Sequence, residues 1–213
     1  MRKVQFVNGE YYHVFNRGVD KRDIVTDRRD SNRFLQGMQE FNVMEPIGSL
    51  YAASFRKKSL LRNLVSKKEG QLVNLICYCL NPNHYHFVLQ QLVDRGIEKL
   101  MHRLGVGHSN YFNKKYKRVG SLFQGPFKAI HVDSDEHLLH VSVYVNLNYK
   151  VHQIDSPLVK SSWKEYVSNY KDGLCEKDVI LNQFESINSY KDFAERSLKI
   201  SIERKELEKH LET

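Results

Sequence analysis

The sequence predicts an α+β fold, in which helices pack on an antiparallel sheet. Segments rich in β-branched and aromatic residues alternate with segments whose apolar side chains recur at helical spacing. Two of the β-rich segments are separated only by Asn-Pro-Asn at 81–83, so we expect them to run antiparallel. The order strand–helix–strand–strand–helix–strand–helix is that of a ferredoxin-like sandwich, and we expect the helices on one face of the sheet.

The predicted elements follow one another along the first three quarters of the chain. In order they are a strand over 10–17, a helix over 30–42, a basic helical connector up to residue 70, strands over 71–80 and 84–92, a helix over 94–117, a bent strand or hairpin over 120–132 and a helix over 134–148. Asp30 or Ser31 is the predicted N-cap of the first helix, and Ser134 that of the last. Gly105 and Gly107 are expected to interrupt the middle helix.

The composition changes near residue 155 and becomes polar and helical. Residues 191–212 predict a terminal amphipathic helix. We therefore predict one domain over 1–155, followed by a C-terminal helical extension over 156–213.

The bulk composition is that of a protein with a real core, because 41% of its 213 residues are hydrophobic. No run of about 18 apolar residues and no apolar stretch at the start is present, so we expect the protein to stay where it is made. Cys77, Cys79 and Cys175 form no CxxC pair, which predicts free thiols in a reducing cytoplasm.

The charge favours a polyanionic partner. The formal net charge is +8 and the pI is about 9.3, which points to nucleic acid first and to an anionic membrane surface second. One basic cluster, 114–118, is interleaved with Tyr111, Phe112 and Tyr116, a combination that suits single-stranded nucleic acid. A solvated helix face with its aromatic side chains turned inward explains the same pattern, and both interpretations stay open.

Residues 81–90, NPNHYHFVLQ, contain two histidines in an apolar segment. Because side chains alternate along a strand, His84 and His86 share one face, about 7 Å apart, while Tyr85 points to the other. Two imidazoles placed in this way can converge on one divalent ion, although two ligands do not make a site. Two satisfied core histidines are the alternative that the spacing leaves open.

Residues able to complete such a site lie on the predicted helix 134–148. Tyr144 and Asn148 are four residues apart, so they lie on one helix face. If that face packs over the strand that carries the histidines, the amide oxygen of Asn148 becomes a third ligand and the Tyr144 phenol lies beside the ion. A core-facing tyrosine and an asparagine C-cap fit the same spacing.

Several segments resemble a known family. The sequence ICYCL, followed by Pro-Asn and HYH, resembles the HUH strand of the single-tyrosine HUH transposases. YFNKKYKRVGSLFQG and YVNLN extend the likeness, as do YYHVFNRGVDKRDIVTD at 11–27 and SSWKEY at 161–166. It covers roughly residues 10–170 and is closest to the REP-associated tyrosine transposases, relatives of the insertion-sequence transposases that act on single-stranded DNA.

The resemblance implies a ferredoxin-like HUH domain in which His84, His86 and Asn148 hold Mg²⁺ or Mn²⁺ and Tyr144 is the nucleophile. It implies metal-dependent cleavage and strand transfer of single-stranded, hairpin-forming DNA through a 5′-phosphotyrosine. We expect the protein in the bacterial cytoplasm, associated with the nucleoid and not with a membrane, as a monomer or a homodimer. The residues expected to bind nucleic acid are Arg17, Lys114, Lys115, Lys117, Arg118, Gln124 and Lys128.

The chain departs from the family pattern at three places. Asn81 stands where the family usually has methionine, a change expected to matter little. Pro126 stands where an arginine usually follows Gln-Gly, so a cation for phosphate is missing and Lys128 is expected to substitute for it. Tyr149 replaces the proline that usually follows Asn148, so we expect the chain to leave the tyrosine helix differently.

Two other functions stay open. The first is a binding module that holds single-stranded nucleic acid on exposed sheet aromatics without cutting it, with Tyr12, Phe15, Tyr78 and Phe87 as the aromatic residues. The second is a metal-dependent hydrolase in which Tyr144 is only structural, and which forms no protein–DNA adduct.

Overall fold

A computed structural model describes residues 4–51, 70–168 and 173–211. Its centre is a five-stranded sheet in which every neighbouring pair of strands is antiparallel. The strands are β1 (Tyr11–Arg17), β2 (Val73–Leu80), β3 (His84–Gln91), β4 (Lys128–Val132) and β5 (Lys160–Ser161). Their order across the sheet is β4-β1-β3-β2-β5, which places β3 at the centre.

A short 3-10 turn, Val19–Lys21, and a series of α-helices connect the strands. The helices are α1 (Arg28–Glu40), α2 (Gly96–Lys115), α3 (Asp135–Asn146), α4 (Asn148–Val151), α5 (Trp163–Val167), α6 (Asp178–Leu181) and α7 (Ile187–Leu211). The predicted α+β class and the order of strands and helices are confirmed. In the described part of the chain, no helix is both long and apolar enough to cross a membrane.

Helices cover both faces of the sheet, so the prediction of helices on one face was wrong. Tyr85, Phe87 and Leu89 of β3 point into a core shared with α1 and α2. The alternate residue Val88 belongs to a second core, which is shared with α3 and α7. A central strand that is buried on both sides needs apolar residues on both faces, which explains the nearly continuous apolar run of β2 and β3.

The capping of α1 differs from the prediction, whereas that of α3 agrees with it. Asp27 is the N-cap of α1, and its side chain accepts a hydrogen bond from the Asp30 N–H at 2.9 Å. Asp30 and Ser31 lie inside the helix and are fully buried, since both serve other contacts. Ser134 caps α3 as predicted, by accepting from the N–H of His137 at 3.2 Å.

Helix α2 runs through both of its internal glycines, so the predicted interruption was wrong. A Cβ atom on Gly107 would lie 3.0 Å from Cε2 of Phe41, which follows α1. The glycine therefore permits close packing of α2 against the end of α1 rather than breaking the helix.

The segment predicted as a bent strand or hairpin over 120–132 is mostly a loop. Only Lys128–Val132 joins the sheet, as β4 beside β1. The loop before it is held by the isolated bridge between Gly18 and Phe123. Gly125 has φ 154°, a value that side-chain-bearing residues rarely adopt, and this lets the chain turn back towards β1.

Residues after 155 contribute to both the sheet and the core. Strand β5 pairs with β2, and Tyr166, Ile180, Tyr190 and Ala194 are buried in the second core. The boundary at residue 155 stays a prediction. The three cysteines are free thiols, and the basic connector after residue 51 lies outside the described residues.

Candidate active site

Strands β1 and β3 form the floor of the candidate site. Arg17 pairs with His84 and Phe15 pairs with His86 in the antiparallel register. Paired residues project on the same side of a sheet, so these four side chains share the face that α3 covers. Helix α3 contacts β2 and β3, which carries Tyr144 over the histidines.

The two predicted ligands His84 and Asn148 meet directly. Their Nε2 and Oδ1 atoms lie 3.0 Å apart, and Asn148 is fully buried. Helix α3 ends at Asn146, Leu147 is its C-cap, and Asn148 begins the short helix α4, so the chain leaves the tyrosine helix through a kink into a further helical turn. The Nδ2 atom of Asn148 is one of the few buried polar atoms, among the described residues, without a hydrogen-bond partner.

Two asparagines of the β2–β3 turn hold the His84 ring from both sides. Oδ1 of Asn83 lies 2.6 Å from Nδ1 of His84, so that nitrogen carries the proton and donates. Nε2 is then left with its lone pair. Asn81, which is fully buried, places Nδ2 2.8 Å from Nε2 of His84 and 2.8 Å from Oδ1 of Asn148. The expectation that asparagine at position 81 matters little was wrong, because its amide contacts both predicted ligand atoms.

The second predicted ligand, His86, is held by another histidine. Nδ1 of His86 lies 2.8 Å from Nε2 of His13 on β1, and both rings are buried. This contact orients the ring so that its other nitrogen, Nε2, is directed away from His13. Partners of this kind fix the tautomer of a ligating histidine in known metal sites.

Tyr144 lies beside this histidine pair. Its ring packs edge-on against His86, with centroids 5.7 Å apart, and against His13 at 6.0 Å. His152 completes the group, with its ring centroid 4.9 Å from that of His84. The phenol and both predicted histidine ligands therefore face the same space.

Burial keeps the three buried imidazoles neutral near pH 7. It lowers the pKa of His13 to about 4 and lowers the pKa of His86 well below the ordinary value, with neighbouring histidines adding to the effect on His86. Burial also lowers the pKa of His84, although Oδ1 of Asn148, which accepts a hydrogen bond from Nε2 when the ring is protonated, opposes this. Neutral imidazoles have the free lone pairs that metal binding requires.

The donor atoms fit a divalent ion. Nε2 of His84 and Oδ1 of Asn148 are both lone-pair donors that lie close together, and within the described ranges the donor that meets both of them is the Asn81 amide. Among the described residues, no group of three or more His, Cys, Asp or Glu side chains is arranged to hold an ion, so the predicted set depends on an amide oxygen. Nitrogen and oxygen donors together suit Mn²⁺ and Mg²⁺.

The site opens into a cavity of about 560 Å³. It is lined by side chains that the sequence predicted for chemistry and for nucleic acid, namely Arg17, His84, His86, Gln124, Lys128 and Tyr144. Pro126 lines it too, at the position of the expected arginine, and Lys128 stands two residues further along. One cation from each of β1 and β4 therefore borders the opening.

Comparison with known proteins agrees with the motifs. Residues 51–148 match the family model described as "Transposase IS200 like". This segment, a little under half of the chain, is similar to the IS200-like transposases. The match confirms the resemblance drawn from the motifs, and over this segment it supports an enzyme of the transposase kind.

Solved structures and curated proteins give two further comparisons. A REP-associated tyrosine transposase bound to a REP hairpin is similar at 9% identity, with a TM-score of 0.48, over 82% of this chain and 88% of that one. No curated protein matches the chain.

The predicted basic cluster lies outside the cavity lining, at and just after the C-terminal end of α2. It consists of Lys114, Lys115, Lys117 and Arg118. Lys115 forms salt bridges of 2.6 Å with both Asp27 and Asp30, and Arg118 donates to Oδ1 of Asn113 at 3.0 Å. The assignment of these residues to nucleic-acid binding stays a prediction, and the contacts of Lys115 give it a structural role as well.

The sequence did not predict Asn81, His13 and His152 as parts of the candidate site. His13 was detectable only through the pairing register of β1 with β3, because nothing in its local sequence marks it. Asn81 was noticed as a departure from the family pattern, but the turn geometry that aims its amide at His84 was not predictable from spacing.

Proposed function

We propose that the protein cleaves and rejoins single-stranded, hairpin-forming DNA through a covalent 5′-phosphotyrosine at Tyr144, with a divalent ion in the adjacent site. The observation that carries the proposal is that Tyr144 packs edge-on against His86, in the same cavity as His84. The hairpin substrate follows from the resemblance of the motifs to the REP-associated tyrosine transposases.

The chemistry is a transfer of one phosphodiester bond. The phenol oxygen of Tyr144 bonds to the scissile phosphorus while the bond to the 3′ oxygen breaks, which leaves a 3′-hydroxyl on one strand and a phosphotyrosine on the other. Attack by a second 3′-hydroxyl reverses the step and frees the tyrosine. The energy of the broken bond is kept in the phosphotyrosine, so no nucleotide cofactor is needed.

The ordinary pKa of a phenol, about 10, makes it a weak nucleophile near neutral pH, so the reaction needs electrostatic help. A divalent ion held by His84, His86 and Asn148 would polarise the scissile phosphate and stabilise the charge that develops on it. The chain's own contribution is to orient the phenol: the His86 and His13 rings pack against the Tyr144 ring and set the direction from which it meets the substrate.

DNA binding is best supported at the cavity rim. Arg17 and Lys128 supply cations to the cavity lining, and Gln124 supplies an amide. Three of the aromatic residues suggested for a sheet-face binding module are buried beneath α1 and α2, with Tyr12 1%, Tyr78 6% and Phe87 0% exposed. That burial disfavours a binding module that stacks bases on this sheet face.

The test is a denaturing gel with purified protein, Mn²⁺ and hairpin DNA labelled at the 5′ or the 3′ end. The wild type is run beside Tyr144→Phe and His84→Ala. We expect an adduct that carries only the label 3′ of the cut, and we expect both variants to abolish it while DNA binding persists.

The other outcomes identify the alternatives. Cleavage without an adduct, retained in Tyr144→Phe, contradicts the proposal and indicates a metal-dependent hydrolase. Binding without cleavage across several hairpins and ions also contradicts it and indicates a non-catalytic binding module.

A further inference from the structure

Asn81 occupies a position that neither the motif nor the proposed chemistry explains. Its side chain is fully buried at the end of β2, beside the two predicted ligands His84 and Asn148. The nearest other contact of its amide is a weak one, between Oδ1 of Asn81 and Sγ of Cys79 at 3.6 Å. The main contacts of the Asn81 amide are therefore those with His84 and Asn148.

The lone pairs around this amide are unevenly satisfied. His84 Nε2 has a single lone pair, since Nδ1 carries the proton that it donates to Asn83. That lone pair can accept from Asn81 or bind an ion, but it cannot do both. An ion that binds Nε2 of His84 must therefore displace the Asn81 N–H. The hydrogen bond that directs Nδ2 of Asn81 towards His84 is then lost.

The three atoms form a compact triangle. The sides are 3.0 Å from His84 Nε2 to Asn148 Oδ1, and 2.8 Å from Asn81 Nδ2 to each of them. Adjacent ligands around an octahedral Mg²⁺ ion lie about 2.9 Å apart, because each bond is about 2.1 Å long. The triangle thus has the dimensions of one face of an octahedral site.

We propose that Asn81 is a ligand of the divalent ion. A half-turn of its amide about the Cβ–Cγ bond exchanges Oδ1 for Nδ2, so the oxygen joins His84 Nε2 and Asn148 Oδ1 while the nitrogen turns towards Cys79.

The proposal rests on the proposed function, because it concerns the same ion. It also makes this site richer in oxygen ligands than the family pattern, in which methionine usually stands at this position. An added amide oxygen favours Mg²⁺, which prefers oxygen ligands. We therefore expect the loss of Asn81 to weaken Mg²⁺ binding more than Mn²⁺ binding.

Calorimetric titration of the full-length protein with Mg²⁺ and with Mn²⁺, in the absence of DNA, tests the proposal. Asn81→Met should lower Mg²⁺ affinity tenfold or more, a loss of about the size seen when support of a metal site is removed. Asn81→Asp should bind Mg²⁺ at least as tightly as the wild type, since a carboxylate is a stronger oxygen ligand. Asn74→Met, the same change at the other end of β2, is the matched control and should leave both affinities unchanged.

The Asp variant separates a ligand from a mere hydrogen-bond clamp, because a carboxylate cannot donate to His84 and Asn148. If Asn81→Asp loses affinity, or if Asn81→Met binds Mg²⁺ like the wild type while His84→Ala does not, Asn81 is not a ligand and the proposed function still stands. If the wild type binds neither ion, both fail. Melting temperatures in EDTA show whether Asn81→Met folds, and if it does not, the Asn81→Asp titration decides.

Discussion

At the scale of single residues, the site depends on pairs that lie far apart in sequence. His84 and His86 follow from strand alternation, and Tyr144 and Asn148 follow from helical spacing. The contact between His13 and His86 joins two strands that are 73 residues apart along the chain. No local pattern predicts such a pair, because it depends on the register in which β1 and β3 meet.

His13 should support the ligand role of His86. If Nε2 of His86 binds the ion, its Nδ1–H donates to Nε2 of His13, which holds the ring in place. We expect His13→Ala to weaken Mn²⁺ binding about tenfold, because the unsupported ring can turn. We expect His13→Gln to restore most of the affinity, since its amide oxygen can accept the same hydrogen bond.

Electron paramagnetic resonance detects free Mn²⁺, so a titration of each variant followed in this way measures its Mn²⁺ affinity. Equal Mn²⁺ affinities in the wild type and His13→Ala would show that His86 needs no such support. Failure of His13→Gln to improve on His13→Ala would show that the lost interaction is packing and not the hydrogen bond.

At the scale of elements, a buried carboxylate joins the start of α1 to the end of α2. Asp30 is fully buried and accepts hydrogen bonds from Lys115 at 2.6 Å and from the hydroxyls of Tyr111 and Tyr116 at 2.8 Å each. Burial opposes the charge, but the hydrogen bonds from Lys115, Thr26 and the two tyrosines outweigh it and hold the pKa of Asp30 well below its ordinary value.

This network explains why the basic and aromatic cluster of 114–118 was open to two interpretations. Tyr111, Tyr116 and Lys115 turn inward to Asp30, as a structural face would. Lys114, Lys117 and Arg118 are the members of the cluster left for a nucleic-acid partner. The sequence shows the charges, but it does not show which of them meets a buried acid 85 residues away.

Asp30→Asn should destabilise the protein by about 3 kcal/mol at pH 7, because the two tyrosines lose their charged partner and Lys115 keeps only the partly exposed Asp27. The folded pKa of Asp30 lies below the unfolded one. Its contribution is therefore present above an unfolded value of about 4 and is lost as the pH falls towards the folded pKa. The difference in the free energy of unfolding between the wild type and Asp30→Asn should therefore become smaller below about pH 4.

Urea unfolding from pH 7 to pH 3 measures this difference. Asp27→Asn is the matched control, since it removes a partly exposed carboxylate from the same lysine but keeps an N-cap. Its loss of stability should be the smaller one. A gap between wild type and Asp30→Asn that is the same at pH 7 and pH 3 would contradict the assigned role.

At the scale of the whole molecule, the two cores explain which predictions succeeded. The order of the elements along the chain and helix α3 were predictable, because the apolar patterns of the elements are strong and the N-cap of α3 is local. The sequence did not allow us to predict that helices cover both faces of the sheet. The second core, which contains α3, also contains residues after 155, and their packing is not visible in a local pattern. Tyr190 and Ala194 of α7 are fully buried there, and Asn146 of α3 donates to the Tyr190 hydroxyl at 3.3 Å.

Removing residues 185–213 should therefore destabilise the domain rather than release an independent extension. The deletion exposes the second core, and we expect it to lower the melting temperature by about 10 °C or more or to prevent folding. Tyr190→Ala, which keeps the length of the chain, should cost about 3 to 4 kcal/mol in urea unfolding. A shortened protein that melts like the wild type would contradict this expectation and show that α7 is not needed to stabilise the second core.

The central claim is that Tyr144 becomes joined to DNA, and mass spectrometry of the adduct tests it most directly. Trypsin releases residues 129–150, a peptide that contains both Tyr144 and Tyr149. After reaction with hairpin DNA and Mn²⁺, and nuclease trimming, we expect fragmentation to place a 5′-linked nucleotide on Tyr144. An adduct on Tyr149, or DNA that is cut while this peptide stays unmodified, would contradict the account.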